Sequence, residues 1–331
     1  MRSDPFALRF PRRRLALAAA TSLVLALALA APAHAQGTPI RILVGFPAGG
    51  TIDLVARVLA DQMKDDLGAP VIVDSRPGAG GQIAAQALKT AAPDGRTLML
   101  APDHTMVIVP LTVKEPGYDP LRDMVAVAQV ARYVGAFAVA ANVPAKNFNE
   151  YLAWARANPA SANIGIPAPG SKPHFGMLAL ARETGAKLTT VPYKGSAPLV
   201  QDLLGGQIAA GTTAMGDFLD HHAAGKLRII GVIDPKRAAQ LPDVPTFLEQ
   251  GYKIDLNYWL GMFAPAGTPA PVVERVNAAL GRALSNPEVR ERMIKIVFEP
   301  AFGSPAQMTS LMQADSRYWE PLVKSSGWVL Q

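Results

Sequence analysis

The stretch Phe46-Pro47-Ala48-Gly49-Gly50-Thr51 has a counterpart about thirty residues later, Arg76-Pro77-Gly78-Ala79-Gly80-Gly81. Each glycine-rich turn follows a run of β-branched residues and precedes a helical pattern of apolar residues. The pattern predicts strands over 40–46, 71–74 and 97–101, with helices over 53–67 and 82–91 between them. This alternation of strands and helices indicates a parallel, doubly wound α/β unit.

Both turns lie where such a sheet binds ligands. Ligands of open α/β sheets lie outside the C-terminal ends of the strands, and Pro102-Asp103-His104-Thr105 follows the third strand at the same edge. Backbone N–H groups at a helix start have no partner within the helix and lie at the positive end of its dipole. Such a turn can hold an anion without a charged side chain, so we expect a small anion, and first of all a carboxylate.

A second α/β unit is predicted after an extended run at 136–141. Its expected elements are a helix over 148–157, a strand over 163–166, a loop over 167–174, a strand over 188–192, a helix over 197–204 and strands over 207–212 and 227–233. From residue 260 the chain is expected to return to the first unit, with helices over 269–284, 287–296 and 305–324. Two chain crossings between α/β lobes are typical of a hinged binding protein. The predicted lobes are lobe 1 at 36–136 and 260–331 and lobe 2 at 137–259.

The N-terminus has the layout of a secretory signal peptide. Arg12-Arg13-Arg14 precedes an apolar stretch over 15–31, and Ala33-His34-Ala35 supplies the small residues of a cleavage site. We therefore predict cleavage after Ala35 and export to the periplasm. An uncleaved membrane anchor is the alternative, but the apolar stretch is short for a bilayer span.

The composition narrows the function classes. The 331 residues carry 32 basic and 26 acidic side chains and a formal charge of +6, but five arginines and one aspartate belong to the predicted leader, which leaves the remainder near +2. Without a basic patch interleaved with aromatics, no nucleic-acid partner is expected. The chain has no cysteine, and the adjacent pair His221-His222 points to two different helix faces. No metal or cofactor is therefore predicted.

Eight motifs, in order along the chain, give a family resemblance. They are Phe46–Gly50 with Asp53, Ala56 and Arg57; Arg76–Gly81; Ala92-Pro93-Asp94-Gly95; Pro192-Tyr193-Lys194-Gly195-Ser196-Ala197-Pro198; Leu203-Leu204-Gly205-Gly206-Gln207; Ala224-Gly225-Lys226-Leu227-Arg228; Leu241-Pro242-Asp243-Val244-Pro245-Thr246; and Phe263-Ala264-Pro265-Ala266-Gly267-Thr268-Pro269. The chain resembles the extracytoplasmic solute receptors of tripartite tricarboxylate transporters, the Bug proteins. The resemblance implies a type II periplasmic-binding-protein fold, α/β in class, with the ligand cleft between two hinged lobes. It also implies a small carboxylate, held largely by loop backbone and ordered water.

Three departures from the family pattern bear on the ligand. Ile52 stands where members often have a threonine, and the loop Pro167–His174 is stiffer and more basic than usual. Many members have an acidic residue just past the strand that follows Gln207, and the stretch Ala209–Thr213 has none. Because an acid that could receive a ligand ammonium is missing there, amino acids are disfavoured and a plain mono- or dicarboxylate, which could be aromatic, is expected.

The predicted ligand-binding residues come from the turns and strand ends of both units. They are Phe46, Pro47, Ala48, Gly49, Gly50, Thr51, Gly80, Gly81, Asp103, His104, Ser171, His174, Tyr193, Lys194, Thr212 and Thr213. Each has a structural alternative: the glycines can simply shape tight turns, His174 can cap its helix, and Lys194 can pair across the lobes. Asp53 is expected to support the helix start rather than touch the ligand.

Three functions follow, from different classes. The first is a monomeric periplasmic receptor that closes on a carboxylate and delivers it to the membrane permease subunits of a tripartite tricarboxylate transporter. The second presents the same ligand to a membrane sensor kinase. The third is an exported enzyme that uses the glycine-rich loops as an oxyanion hole, but the sequence lacks a Gly-x-Ser-x-Gly elbow, a Ser-x-x-Lys motif and a cysteine nucleophile. No catalytic residue is therefore predicted.

Overall fold

The computed structural model describes residues 38–254, 256 and 258–326, so the predicted leader at 1–35 lies outside the described residues. The first part of the chain alternates strands and helices. It comprises β1 (Ile40–Val44), α1 (Thr51–Leu67), β2 (Val71–Ser75), α2 (Gln82–Lys89), β3 (Thr97–Pro102), α3 (Val109–Thr112) and β4 (Met124–Tyr133). A short 3₁₀ turn at 79–81 precedes α2, and a π-helical turn at 104–108 precedes α3.

The middle part of the chain forms a second set of alternating elements. These are β5 (Gly135–Ala140), α4 (Phe148–Ala157), β6 (Asn163–Ile166), α5 (Lys172–Thr184), β7 (Thr189–Pro192), α6 (Ser196–Leu204), β8 (Ala210–Ala214), α7 (Leu219–Ala223) and β9 (Leu227–Ile233). The last part comprises β10 (Tyr258–Pro265), α8 (Ala270–Ser285), α9 (Pro287–Lys295), β11 (Phe298–Gly303) and α10 (Pro305–Ser326).

A six-stranded sheet forms the first lobe, with the strand order β11-β4-β10-β3-β1-β2. β1 pairs in parallel with β2 and β3, as predicted, and the returning strand β10 pairs antiparallel with both β3 and β4. Ile42 and Val44 pack in one core with Leu59 of α1, whereas Leu43 between them packs in the other core with Leu88 of α2. Both faces of the sheet are therefore covered, as in doubly wound folds.

A five-stranded sheet forms the second lobe, with the order β7-β6-β8-β5-β9. β6 is parallel to β7 and β8, and β5 is antiparallel to β8 and β9. Only Val134 separates β4 from β5, so the chain crosses between the sheets almost without a loop. β10 returns the chain to the first sheet.

One predicted strand is displaced. The sequence predicts a strand over 207–212, but β8 spans Ala210–Ala214. Gly206 has a φ of +68°, and the Gln207 N–H donates to the Asp202 carbonyl at 2.9 Å. These residues therefore still belong to the C-terminal turn of α6.

The architecture confirms the α/β class with two lobes. In the described part of the chain, no helix combines the length and the apolar character needed to cross a bilayer.

Candidate functional site

A cavity of about 90 Å³ lies between the two lobes. A cavity must have a volume of roughly 10–15 Å³ to hold one ordered water. This cavity can therefore hold several waters or a small organic molecule. Both lobes supply its wall. The lining residues are Phe46, Pro47, Gly50, Thr51, Ile52, Pro102, Asp103, His104, Tyr133, Tyr258 and Phe298 from the first lobe and Pro167, Ala168, Ser171, Lys172, Pro173, Ser196, Ala197, Thr213, Ala214 and Asp217 from the second.

The first glycine-rich turn presents the N-terminus of α1 to this cavity. Gly50 is the residue before the helix and has no side chain to cap it, so Gly50 and Thr51 bring main chain close to the cavity. Asp53 holds the turn from behind. Its carboxylate accepts the Gly49 N–H at 3.0 Å and the Ser75 hydroxyl at 2.9 Å, and it pairs with Arg57 at 2.7 Å. Burial opposes the charge, but these hydrogen bonds outweigh it and lower the pKa of Asp53.

The second glycine-rich turn packs tightly against the segment after β3. Gly80 has a φ of +66°, and a Cβ there would lie 2.6 Å from the His104 ring nitrogen. A Cβ on Gly81 would lie 2.4 Å from the Thr105 hydroxyl, which itself donates to the Gly80 carbonyl at 2.8 Å. Only glycine fits this close approach. The turn therefore positions His104 at the cavity wall.

An outer groove of about 550 Å³ adjoins the cavity and shares Phe46, Pro47 and His104 with it. Gly80, Tyr193 and Lys194 line this groove and not the cavity. The Tyr193 hydroxyl donates to the Asp202 carboxylate at 2.6 Å, which fixes the ring on the second lobe. These residues therefore lie at the mouth of the cleft rather than in the cavity.

A buried ion cluster joins the two lobes at one end of the cavity. Lys172, the first residue of α5, is only 1% exposed, and its Nζ lies 2.8 Å from Asp103 and 2.9 Å from Asp315 of α10. The Tyr133 hydroxyl donates to Asp103 at 3.1 Å, and the indole N–H groups of Trp259 and Trp319 donate to Asp315 at 2.9 and 3.1 Å. The cluster is therefore rich in hydrogen bonds, as buried charges require.

Burial and the charges of this cluster shift the pKa values of the ionisable groups around the cavity. Burial raises the pKa of Asp103, and Lys172 opposes this rise. Burial and the Lys172 charge lower the pKa of His104 to about 4, so the imidazole is neutral at pH 7. Burial raises the pKa values of Tyr133 and Tyr258 well above 10. These three rings therefore face the cavity uncharged.

Asp217 places a carboxylate on the opposite wall. It lies in a 3₁₀ turn directly after β8, and its oxygens accept hydrogen bonds from the hydroxyls of Thr51 at 3.3 Å and Thr213 at 3.0 Å. Ser196 also donates to it, yet burial raises the pKa of Asp217 to about 6. The premise that this part of the second lobe lacks an acid is therefore wrong, because the chain reaches the cavity at Asp217, three residues beyond the strand end.

The lobes touch around the cavity. The Thr51–Asp217 hydrogen bond and the Lys172–Asp103 ion pair each join one lobe to the other. A Cβ on Gly216 would lie 2.4 Å from the Ile296 carbonyl oxygen of the first lobe. The structure is therefore that of a closed cleft.

The predicted site residues divide into three groups. Those on the cavity wall are Phe46, Pro47, Gly50, Thr51, Asp103, His104, Ser171 and Thr213, and those only on the outer groove are Gly80, Tyr193 and Lys194. Those on neither surface are Ala48, Gly49, Gly81, His174 and Thr212. Ser171 caps α5 by accepting the His174 N–H, and the His174 ring accepts the Gly170 N–H at 3.1 Å. Asp53 also lies off the cavity, behind the turn.

Several wall residues are absent from the sequence prediction. Asp217, Tyr133 and Tyr258 carry no motif, and Asp315, behind the wall, lies in the predicted helix over 305–324 without a motif of its own. Lys172 could have been found, because it lies between two predicted positions in a loop that is unusually basic.

Two α/β lobes that close over a small cavity, with a helix N-terminus aimed into it, define the class of two-lobed solute-binding proteins. The family model described as "Tripartite tricarboxylate transporter family receptor" matches residues 55–328. The chain belongs to this family.

Solved structures of relatives agree with this assignment and with the type II periplasmic-binding-protein fold. The periplasmic binding protein BugD is 31% identical, with a TM-score of 0.83 over 88% of this chain and 99% of its own. MatC from Rhodopseudomonas palustris, solved with bound malate, is 29% identical, with a TM-score of 0.80 over 87% and 99%. Rpa4515 from R. palustris, solved with adipate, is 29% identical, with a TM-score of 0.83 over 88% and 98%. Family and neighbours are receptors that bind solutes.

Proposed function

We propose that this protein is a periplasmic receptor that captures a small carboxylate by closure of its lobes and delivers it to a membrane permease of the tripartite tricarboxylate type. The observation that carries the proposal is the cavity between the lobes, into which the uncapped N-terminus of α1 points. The helix dipole and the unpaired N–H groups of the first turn favour an anion there. The malate and adipate found in MatC and Rpa4515 support a carboxylate as that anion.

Closure supplies the affinity. The lobes expected from the sequence, residues 36–136 with 260–331 and residues 137–259, have boundaries within about two residues of the crossings between β4 and β5 and before β10. The lobes move about these two crossings. A ligand shifts the protein toward the closed state only if it binds that state more tightly than the open one. Here the cavity wall is built from both lobes, so the full set of contacts exists only when the cleft is closed. The closed form then presents the surface that the permease recognises.

A thermal-shift screen tests the proposal. The protein is unfolded and refolded to remove bound solute, then heated with mono-, di- and tricarboxylates, aromatic acids and amino acids in turn. A ligand at 100 times its dissociation constant stabilises the folded state by about 2.7 kcal/mol, which raises the midpoint by roughly 5 °C. A shift with any of these carboxylate-bearing compounds, amino acids included, supports the proposal, and no shift with any compound contradicts it.

Gly50→Leu is expected to abolish binding while the fold is retained. The Gly50 backbone has an ordinary φ of −72°, and the contact that a Cβ would make within 4 Å is the Pro47 carbonyl at 3.2 Å. The leucine side chain would, however, fill much of the cavity in front of α1. We expect no saturable binding up to about 1 mM ligand by calorimetry.

Ala48→Leu is the matched control for that variant. Ala48 lies in the same turn, is exposed and does not line the cavity. The control should bind as the parent protein does. Retained affinity in Gly50→Leu would show that the ligand does not lie against the start of α1.

A further inference from the structure

The outer groove meets the cavity at residues from both lobes. Phe46, Pro47 and His104 of the first lobe and Pro167 and Ala168 of the second line both spaces. Burial lowers the pKa of His104 to about 4, so this imidazole is neutral at pH 7. An apolar chain that extends from the cavity at this junction therefore meets no charged side chain among these five residues.

The wall of the outer groove is largely apolar. Its apolar residues are Phe46, Pro47, Pro77, Ala79, Val109, Val113, Pro167, Ala168 and Pro169. Because proline has no N–H, the main chain offers a ligand few hydrogen-bond donors along this wall. The start of α1, with its unpaired N–H groups, has the opposite character. The groove therefore suits an apolar group rather than an anion.

The polar side chains of the same wall are already bonded within the protein. Gln82, Thr112 and Tyr193 each donate a hydrogen bond to a protein oxygen, at 3.0, 2.8 and 2.6 Å. Among the described residues of this wall none is acidic, and the cationic side chain is that of Lys194, which is exposed. Few polar groups of the groove are therefore left for a ligand.

The size of the groove fits the tail of a ligand. The cavity has room for a carboxylate and a short chain, whereas the groove has a volume of about 550 Å³. Pockets that hold drug-sized ligands have volumes of roughly 300–1,000 Å³. Ala79 and Val113 contribute to its wall from the first lobe, and Pro169 contributes from the second. Like the cavity, the groove is therefore complete only when the cleft is closed.

We propose that the outer groove receives the apolar tail of the ligand, so that the preferred ligand is a monocarboxylate whose apolar chain or ring extends beyond the cavity. The inference rests on the proposed function, since the carboxylate of the ligand is assigned to the start of α1. A second carboxylate at the far end of the same chain would lose water in the groove without donors to replace it. The length and the end group of the ligand therefore separate this proposal from a plain dicarboxylate receptor.

The test compares probes of equal length by calorimetry at pH 7.5: butanoate with succinate, hexanoate with adipate, and octanoate with suberate. A fully buried methylene strengthens binding about fourfold, and a groove buries each methylene only in part. For the parent protein we therefore expect the dissociation constant to fall at least about tenfold from butanoate to octanoate. Suberate should bind at least about tenfold more weakly than octanoate, because its second carboxylate enters the groove.

Val113→Asn tests the groove wall directly. Val113 is the partly exposed residue that follows α3, and its extended backbone, with a φ of −103°, accepts asparagine. The amide replaces an apolar surface of the groove, so octanoate should lose at least about fivefold more affinity than butanoate does. Val272→Asn is the matched control. Val272 is also partly exposed but lines neither the groove nor the cavity, and the variant should keep the preference for octanoate.

The outcomes separate the inference from the proposed function. A rise of less than tenfold from butanoate to octanoate, or a suberate affinity within tenfold of the octanoate affinity or above it, overturns the inference and leaves the carboxylate receptor standing. A Val113→Asn variant that keeps the full preference for octanoate does the same. If none of the six probes binds while a compound of the thermal-shift screen does, the inference alone falls. Absence of any shift in that screen overturns both.

Discussion

Lys172→Met is expected to lower the free energy of unfolding by about 3–5 kcal/mol, the usual cost of removing one partner from a buried ion pair. The variant leaves the carboxylates of Asp103 and Asp315 in a buried site without this cation. Hydrogen bonds from Tyr133, Trp259 and Trp319 remain, but they do not replace a positive charge. Thermal unfolding of the ligand-bound protein, in which the cleft is closed, should show a midpoint lower by roughly 10 °C.

A triple variant keeps this prediction testable even if Lys172→Met does not fold. Asp103→Asn and Asp315→Asn, added to Lys172→Met, remove both orphaned charges, and most of the lost stability should return. Lys295→Met is the control, because Lys295 pairs with Glu291 on the exposed surface and should change the midpoint little. A single variant as stable as the parent, or a triple variant no more stable than the single one, would contradict the account of the cluster.

Short sequence patterns are enough to predict several helices and strands of this fold. The helix over 148–157 has the predicted ends because Asn147 caps it, and apolar residues recur on one face. The parallel unit β1–β2–β3 follows from two glycine-rich turns, each between a strand and a helix. Such signals lie within a few residues of the element that they specify.

Strands β4 and β11 do not follow from local patterns. β4 lies between β10 and the edge strand β11 of a mixed sheet, and its partners are more than 120 residues away in the chain. Its sequence, Met124–Tyr133, is mostly apolar without alternation, because both faces are covered. Only the assembled sheet identifies it as a strand.

The candidate site also contains residues that the sequence predicts and residues that it does not. The turn at 46–51 is predictable, because glycines between a predicted strand and a predicted helix indicate main-chain N–H donors at the helix start. Asp217 and Asp315 are not, because an isolated acid in a turn or on a helix has no motif. Asp217 reaches the cavity because β8 ends at Ala214, two residues later than the predicted strand end. A small shift in one strand thus places on the cavity wall a carboxylate that the sequence prediction lacks.

Gly216→Val is expected to reduce ligand affinity by roughly a hundredfold without lowering the stability of the ligand-free protein. In the closed cleft a Cβ at this position would lie 2.4 Å from the Ile296 carbonyl oxygen, a backbone atom that cannot rotate away. Gly216 has no left-handed φ, so the substitution adds bulk without backbone strain. The added side chain therefore acts against the closed state alone, and a ligand whose contacts come from both lobes loses the affinity that closure supplies.

Two measurements decide this prediction. Calorimetry with the carboxylate that gives the largest thermal shift measures the affinity, and small-angle scattering measures whether ligand still contracts the protein. Gly205→Val is the control, because Gly205 lies outside the cavity on the exposed end of α6 and a Cβ there meets its nearest neighbour at 3.4 Å. Parent-like affinity and contraction in Gly216→Val would show that the lobes need not approach this closely to hold the ligand. A lowered midpoint in the ligand-free variant would instead show that Gly216 stays in contact with Ile296 when the cleft is open. The hinge motion would then not separate these two residues.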